Sequence, residues 1–311
     1  MFNKEVKSIL DLINAFPTEQ ACIDHLETLR WNGNVVSPFD SSSKVYDCKG
    51  NRYKCKNTGK YFNVKTDTIF DNTKMPLQKW FLAIWIVTSH KKGISSLQLG
   101  RDLDITQKSA WFMLQRIRNC FNIDNGEQLD GEVEIDETYI GGKPSNRKVS
   151  VRADKSFETA DRYRKSTVLG ILQRGGELRA KHVGNYTEGV LVPEILKNVK
   201  EGTTLYSDQL TAYKKLNKVY DHHTVKHYKN EFVRGNVTTN SIESVWALLK
   251  RGIYGIYHFT SRKHLHFYID EFVFRHNTRN CGENLRFNIL LTNLENRITY
   301  KELIDGQYKK D

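Results

Sequence analysis

The chain has 311 residues, 39% of them hydrophobic and 27% charged, a composition that excludes a largely disordered protein and predicts two or three small domains. Lys and Arg outnumber Asp and Glu by 48 to 36, which favours a polyanionic partner without specifying an activity. We find neither a secretory signal nor the run of about twenty apolar residues that crosses a membrane. The five cysteines are irregularly spaced, which fits reduced thiols, so we expect a cytoplasmic protein with no membrane partner.

The first 70 residues divide into a helical part and a ribbon. In residues 1–30 the apolar positions are spaced for two short amphipathic helices separated at Pro17. In residues 31–70 turn residues alternate with aromatic residues, and the stretch YDCKGNRYKCKNTGKYFNV predicts short hairpins that turn at residues 49–51. We therefore expect two helices followed by a small β-ribbon.

Residues 71–125 show helical periodicity. Within them, ISSLQLGRDLD and KSAWFMLQRIRNC predict two helices around a tight turn at ITQ, the arrangement of a helix-turn-helix. The second helix carries four side chains that suit phosphates or base edges: Lys108, Gln115, Arg116 and Arg118. The same spacing also fits a helical hairpin with a solvated basic face, and the pattern alone does not separate the two.

Residues 130–285 have the pattern of an α/β domain, and residues 286–311 form a C-terminal tail. Strand-like segments occur in EVEIDETYI, VLGILQR, LRAKHV and TLYSD, with a helical TEGVLVPEILKNV before the last of them. Helical spacing returns over residues 240–251 and 261–279. This alternation predicts a sheet covered by helices.

A basic loop interrupts this domain after its first strand. Residues 142–167 lack periodicity and carry several cations, among them Lys143, Arg147 and Lys148. These side chains suit contact with a DNA backbone, and the composition equally suits a solvated loop.

Three acidic residues are candidates for chemistry. Strand alternation puts Asp136 on the same face as Glu132 and Glu134, just before the first strand is expected to end. Asp208 ends the strand TLYSD, and Glu243 lies on a helix whose other face is apolar. Each position also has an ordinary explanation: strand-edge polarity, a helix cap or a solvated helix surface.

Taken together, these acids fit a metal centre, because hard divalent cations need several oxygen ligands from different elements. Two ions about 3.5 to 4 Å apart would activate the attacking oxygen and stabilise the leaving oxygen of an in-line displacement. Lys250 follows Glu243 by seven residues, two turns along the same helix face, where it would bind a phosphate near the cleavage point.

The order of these residues, with 34 residues between Asp208 and Glu243, resembles the DDE transposases and retroviral integrases. The motifs EIDETYIGGK, SDQLTAY, NSIESVWALLKRGIYGIYH and YIDEFVFRHNTR are similar to one bacterial insertion-sequence group, the ISXO-like DDE transposases, sister to the eukaryotic Merlin elements. KKGISSLQLGRDLDITQKSAWFMLQRIR resembles that group's helix-turn-helix, so the likeness extends from about Trp31 to Arg279. The resemblance implies an α/β, RNase H-like (integrase-type) catalytic domain behind a DNA-binding region of helices, β-ribbon and helix-turn-helix.

The resemblance also implies a function. A DNA transposase of this kind binds terminal inverted repeats, cleaves at the element's ends and transfers the 3′ hydroxyls to target DNA. Double-stranded DNA is then the partner, a homodimer holds the two ends in a synaptic complex, and association with the nucleoid is expected. Two Mg²⁺ or Mn²⁺ ions per active site are the implied cofactors.

Site residues follow from matching the motifs position by position. Asp136 and Asp208 match the two metal-binding aspartates. Some members of the group have asparagine as third ligand, and Asn240 lies one helical turn before Glu243; we prefer Glu243 for its charge and its spacing. Lys250 is the expected phosphate contact, and Arg251 beside it is a further expected DNA contact.

Two stretches depart from the group's pattern. Relatives have a zinc ribbon with paired CxxC knuckles, and the matching positions here are Ser37, Asp40, Cys55 and Thr58. Because a structural zinc ion needs a closed shell of four ligands, Cys48 and Cys55 with Asp40 would make at most a poor site. We predict a ribbon without zinc, held by its aromatic side chains. The second departure is Thr238. Relatives tend to have a histidine at this position, which would transfer a proton or contact a phosphate in the active site.

Two rival functions stay open. One is a domesticated, transposase-derived DNA-binding regulator that no longer reacts, and the other is an RNase H-like nuclease without strand transfer. The degraded zinc site favours the regulator, whereas the complete set of acids argues against it.

Overall fold

The computed structural model describes residues 6–123, 126–141, 165–225 and 233–306. These fall into two compact units: the first takes the residues up to 123 and from 278 onward, and the second takes 124–277. Within the described ranges, no helix combines the length and the apolar character needed to cross a bilayer.

The first unit begins with the two helices that the sequence predicts. Ser8 and Thr18 cap them by accepting backbone N–H groups through their hydroxyls, and Pro17 stands between the two helices. The helices up to residue 118 are α1 (Ile9–Ala15), α2 (Glu19–Trp31), α3 (Leu77–Ser89), α4 (Ser96–Asp102) and α5 (Gln107–Arg118).

A three-stranded antiparallel ribbon follows α2, formed by β1 (Val45–Cys48), β2 (Arg52–Cys55) and β3 (Tyr61–Phe62). Tyr53 and Phe62 lie on its inner face and meet the ring of Trp31 edge-on, with centroids 5.2 and 6.1 Å away. These strands thus form a ribbon with aromatic rings packed against one face.

Hydrogen bonds link the positions where relatives carry zinc ligands. The buried Cys55 thiol lies among the hydroxyls of Ser37, Ser43 and Thr58. Burial raises the pKa of this thiol, but the hydrogen bonds outweigh burial and lower its pKa to about 6. Hydroxyl groups therefore surround the one knuckle cysteine that remains.

Asp40 and Cys48, the other two residues considered as zinc ligands, have different surroundings. Asp40 accepts hydrogen bonds from the side chains of Asn57 and Ser42. Cys48 pairs with Arg52 at the far end of the hairpin, while Cys55 pairs with Val45, three residues along β1. This spacing separates the two cysteines by about 10 Å along the strands, so the interpretation of Cys48 as part of the degenerate site was wrong.

Helices α4 and α5 form the predicted pair around a short turn. Ser95 and Thr106 cap them with their hydroxyls. Lys108, on the first turn of α5, is exposed, and its Nζ lies 5.4 Å from the ring centroid of Tyr300.

Three of the predicted DNA contacts on α5 are buried instead: Gln115, Arg116 and Arg118. The Arg116 guanidinium donates at 2.7 to 3.0 Å to the backbone carbonyls of Ile69, Asp71 and Ile298. The interpretation of these three side chains as DNA contacts was wrong, because the end of α5 lies inside the unit.

The second unit contains a mixed five-stranded sheet, so the predicted α/β class is confirmed. Strands β4, β5 and β6 pair antiparallel, whereas β7 and β8 run parallel to β4. The strands are β4 (Glu132–Ile140), β5 (Ser166–Gln173), β6 (Leu178–Val183), β7 (Thr204–Ser207) and β8 (Asp221–Thr224). Their order is β6-β5-β4-β7-β8.

Helices cover both faces of this sheet. On one face, Val133 and Ile135 pack with α6 (Glu188–Asn198) and a 3₁₀ helix, Thr211–Lys218. On the other face, Val168 and Leu172 of β5 pack with apolar residues of two further helices. These are α7 (Asn240–Gly252), preceded by the hairpin β9 (Val233–Arg234) and β10 (Val237–Thr238), and α8 (Leu265–Asn277).

The basic loop is shorter than predicted. Strand β5 begins at Ser166, and both Ser166 and Thr167 are buried and paired with β4, so the predicted range 142–167 ends two residues too late. Lys143, Arg147 and Lys148 lie outside the described residues.

The residues after α8 belong to the first unit, not to the predicted α/β domain or to a separate tail. Phe287 of α9 (Glu283–Leu291) packs against Phe81 and Trp85 of α3, with ring centroids 5.8 Å apart in both pairs. A further helix, α10 (Tyr300–Asp305), follows. The predicted boundary at 285 is therefore corrected to 277.

Asp270 of α8 is an acid whose burial raises its pKa to about 7. Ionisation of Asp270 therefore lowers the free energy of unfolding. This destabilisation is absent below the pKa of about 4 in the unfolded chain, and it is complete above the pKa in the folded protein. We expect the stability gained by Asp270→Asn to be larger at about pH 8 than at about pH 5, by about 2 kcal/mol. Urea unfolding at both pH values measures this, and an equal gain at both would contradict it.

Candidate active site

Asp136 and Asp208 lie on neighbouring parallel strands. Strand β4 pairs with β7 up to Glu134 opposite Tyr206, and Asp208 directly follows β7. Asp136 and Asp208 each lie two residues beyond this last pair, and the charge of Asp208 acts on Asp136. Strand β4 continues to Ile140, the last residue of the predicted segment EVEIDETYI, so Asp136 lies in the middle of the strand.

Glu134 fixes helix α7 on this face of the sheet. Its carboxylate is fully buried, accepts the backbone N–H of Ile242 at 2.9 Å, and accepts the Arg174 Nε–H at 2.8 Å. Arg174 also donates to the carbonyls of Asn236 and Thr238, just before α7. Sequence reasoning placed Glu134 on the correct face but missed that it holds the start of the helix.

Helix α7 runs beside β4 in the same direction. Ile242 contacts Glu134, and four residues later the Trp246 indole N–H donates to Asp136 Oδ2 at 3.0 Å. Four helical residues advance about 6 Å and two strand residues about 6.6 Å, so the two contacts are in register. Glu243 lies one turn before Trp246, which brings it to the same side of the sheet as Asp136.

Glu243 and its neighbours on α7 have different surroundings. The exposed Glu243 accepts a hydrogen bond from the Thr239 hydroxyl at 3.1 Å. Asn240 is the first residue of the helix, and its backbone N–H donates to the Thr238 hydroxyl at 3.1 Å. Thr238, where relatives tend to have histidine, thus contacts the start of α7 here. In the last turn, Lys250 is partly buried and Arg251 is exposed.

The acids are close enough to affect one another. Burial first, then the charge of Asp208 and to a lesser degree that of Glu243, raise the pKa of Asp136 to about 7. Hydrogen bonds from Trp246 and from the backbone of Glu137 act in the opposite direction. We call Asp136, Asp208 and Glu243 the acid cluster, because the charges of the other two acids act on Asp136.

Glu137 is a fourth acid of this region, which sequence reasoning missed. Burial, together with Asp208 and Asp136, raises its pKa to about 7 against the hydrogen bond that its carboxylate accepts from the Tyr213 hydroxyl. Tyr213 belongs to the SDQLTAY motif, so the pairing links two of the motifs noted above. In the sequence, the tyrosine five residues after Asp208 was the feature that could have suggested a hydrogen-bond partner for Glu137.

Asp208 is held by its own turn. Its Oδ1 accepts the backbone N–H of Leu210 at 2.9 Å, and the following 3₁₀ helix begins only at Thr211. The carboxylate therefore closes a local turn and does not cap a helix.

The donor atoms suit a hard divalent cation, because every candidate ligand is a carboxylate oxygen. In the parts of the chain that the structure describes, no three acidic, histidine or cysteine side chains stand close enough together to enclose a metal ion. The charges of these acids affect one another, but their side chains do not form a closed coordination shell.

Comparisons with known proteins give the class of this domain. Residues 128–277 match the ISXO2-like transposase domain, and this range contains the sheet, the acids and helix α7. The second unit is thus similar to a transposase domain. A Halobacterium salinarum protein described as an uncharacterized protein in transposable element ISH50 is 28% identical over 251 residues, which cover 77% of this chain and 84% of the relative. Together these two likenesses support a transposase of the insertion-sequence type.

Proposed function

We propose that this chain binds the terminal inverted repeats of an insertion sequence, cleaves at the element's ends and transfers the 3′-OH ends to target DNA. The proposal is carried by Asp136 and Asp208 on neighbouring strands, with Glu243 on the helix whose Trp246 contacts Asp136. A pair of ends must be joined in concert, so the active form is a homodimer in a synaptic complex.

The sheet supports an RNase H-like, integrase-type fold. Numbered within the second unit, its strand order is 3-2-1-4-5, with three antiparallel strands first and two parallel strands after them. This order puts the strand that carries Asp136 in the centre, next to the strand that leads to Asp208. Asp136 lies within a strand and Asp208 directly after one, so the backbone restrains both residues, which favours a preorganised site.

In this proposal Asp136, Asp208 and Glu243 hold two Mg²⁺ or Mn²⁺ ions. When bound, such ions activate the attacking oxygen and stabilise the leaving oxygen at phosphorus. Asp136 and Asp208 approach from the sheet and Glu243 from α7, so the ligands come from separate rigid elements. Lys250, two turns beyond Glu243, binds a phosphate of the DNA.

The outer face of the ribbon suits DNA binding better than the end of α5 does. We define the ribbon face by the five residues Lys44, Tyr46, Arg52, Lys54 and Tyr61. Lys54 pairs with both tyrosines across the strands, and three cations lie within 5.6 Å of a tyrosine ring centroid. Both rings are exposed and none of the five residues is acidic. Cations on such a face bind the phosphates of a DNA backbone, and exposed rings between them stack on bases that are unpaired.

Removing two of these cations should weaken DNA binding in a salt-dependent way. For the double variant Arg52→Ala and Lys54→Ala, we expect the slope of log K against log salt to become shallower by about 2, because each lost phosphate contact removes about 0.9. Fluorescence anisotropy on a labelled duplex at several salt concentrations measures the slope.

A matched control removes the same charge elsewhere. Lys214→Ala with Lys218→Ala changes two exposed lysines of the 3₁₀ helix in the second unit. An unchanged slope in the ribbon variant, or an equal change in the control, would count against the ribbon face.

The reaction itself separates the proposal from its rivals. Labelled duplexes that carry the element's ends are incubated with the protein, target DNA and Mg²⁺ or Mn²⁺. Cleavage followed by joining supports the transposase, and cleavage without joining supports an RNase H-like nuclease. Binding with neither reaction supports a domesticated regulator.

A further inference from the structure

We infer that Trp246 is a positioning residue for the Asp136 carboxylate and that Gly170 provides the space for its ring. This inference rests on the proposed function, since it gives Asp136 the role of a metal ligand. It concerns two residues that no motif argument singled out.

The contact between Trp246 and Asp136 is specific. The indole is buried in the core between α7 and the sheet, and its Nε1–H donates to Asp136 Oδ2 at 3.0 Å. A buried tryptophan N–H needs a partner, and here the partner is an acid of the site, although the ring is otherwise surrounded by apolar side chains. The hydrogen bond fixes one carboxylate oxygen and so restricts rotation about the Cβ–Cγ bond of Asp136.

Gly170 makes this contact sterically feasible. It pairs with Asp136 across β4 and β5, and a Cβ atom on it would lie 2.3 Å from Cζ2 and 2.4 Å from Cη2 of Trp246. Contacts that short do not occur, so any side chain at this position forces the indole away. The ring occupies the space above the glycine, directly beside the carboxylate that it contacts.

The role differs from core packing alone. Phenylalanine at position 246 would keep an aromatic ring against Val245, Leu249 and the sheet but would remove the N–H donor. If Trp246 only filled the core, this change would lower the stability of the protein and leave its binding of cations unchanged. A residue that orients Asp136 would change how the acid cluster binds a cation, since partners that orient metal ligands commonly affect affinity 10-fold to 100-fold.

The first test is Trp246→Phe, with Mn²⁺ as the probe. Isothermal titration should show Mn²⁺ binding about tenfold weaker than in the wild type. The Mn²⁺ concentration for half-maximal cleavage of labelled ends should rise by a similar factor, while the rate at saturating Mn²⁺ stays within a few-fold. Trp85→Phe is the matched control, because Trp85 is a buried tryptophan of α3 in the first unit. Equal Mn²⁺ affinity in wild type and Trp246→Phe overturns the inference.

Gly170→Ala tests the same contact from the other side and serves if Trp246→Phe does not fold. It leaves the indole intact but displaces it, so Mn²⁺ affinity should fall in the same direction. Normal Mn²⁺ affinity in a folded Gly170→Ala protein also overturns the inference.

The outcomes distinguish this inference from the function on which it rests. A wild type that binds Mn²⁺ but neither cuts nor joins DNA overturns the proposed function, while the Mn²⁺ titrations still decide the role of Trp246. A wild type that cuts and joins, with Mn²⁺ affinity unchanged by both variants, overturns only the role of Trp246. A wild type that binds no Mn²⁺ overturns both.

Discussion

Asp136→Asn and Asp208→Asn should each abolish cleavage and joining of element ends while leaving DNA binding intact. Both changes keep the size of the side chain and remove a charged ligand oxygen from the acid cluster. A metal ion contributes several kcal/mol to the transition state of phosphoryl transfer, so we expect a loss of at least about 10³-fold. Gel assays of cleavage and strand transfer, with end binding measured separately, check both halves of this expectation.

The control for these variants is another carboxylate of the same sheet. Asp221 lies at the start of β8, paired with Thr204 at the other end of the parallel strands from Asp208. Asp221→Asn removes a negative charge from the domain without touching the acid cluster, and its cleavage rate should stay within a few-fold of the wild type. Retained cleavage in Asp136→Asn would refute the assignment of this residue.

The elements of the second unit could be predicted because their signals are local. Alternation in EVEIDETYI gives the face of Asp136 and Glu134 without any knowledge of the fold, and helical spacing gives α7 with Glu243 on its polar side. What the spacing cannot give is the function of Glu134. A buried carboxylate that holds a helix start 108 positions later is visible only once the chain is folded.

In the first unit, too, a local sequence pattern does not predict which side chains become buried. Gln115, Arg116 and Arg118 occupy polar positions at the end of α5, which a local pattern assigns to solvent or DNA. Arg116 instead binds the carbonyl of Ile298, 182 positions away, because the chain after α8 returns to the first unit. No periodicity within α5 contains that information. Gly170 is a similar case, since its need for an absent Cβ depends on a ring from α7.

Glu243→Gln and Asn240→Ala should separate the two candidates for the third ligand. We expect Glu243→Gln to lose at least about 10³-fold in cleavage, as for the aspartates. Asn240→Ala should stay within about tenfold, because a neutral amide contributes little to holding a divalent cation among carboxylates. Cleavage rates and Mn²⁺ titrations of both variants provide the measurement.

The geometry of α7 gives the reason. Trp246 touches Asp136, Glu243 precedes it by one turn, and Asn240 precedes it by two, which places Asn240 about 9 Å back along the helix axis and Glu243 about 4.5 Å. The charge of Glu243 also raises the pKa of Asp136, although less than the charge of Asp208 does. If Asn240→Ala proves inactive while Glu243→Gln still cuts, the start of α7 must move toward Asp136 when the metal binds. The hydrogen bond from Ile242 to Glu134, which now fixes that start, would then have to break.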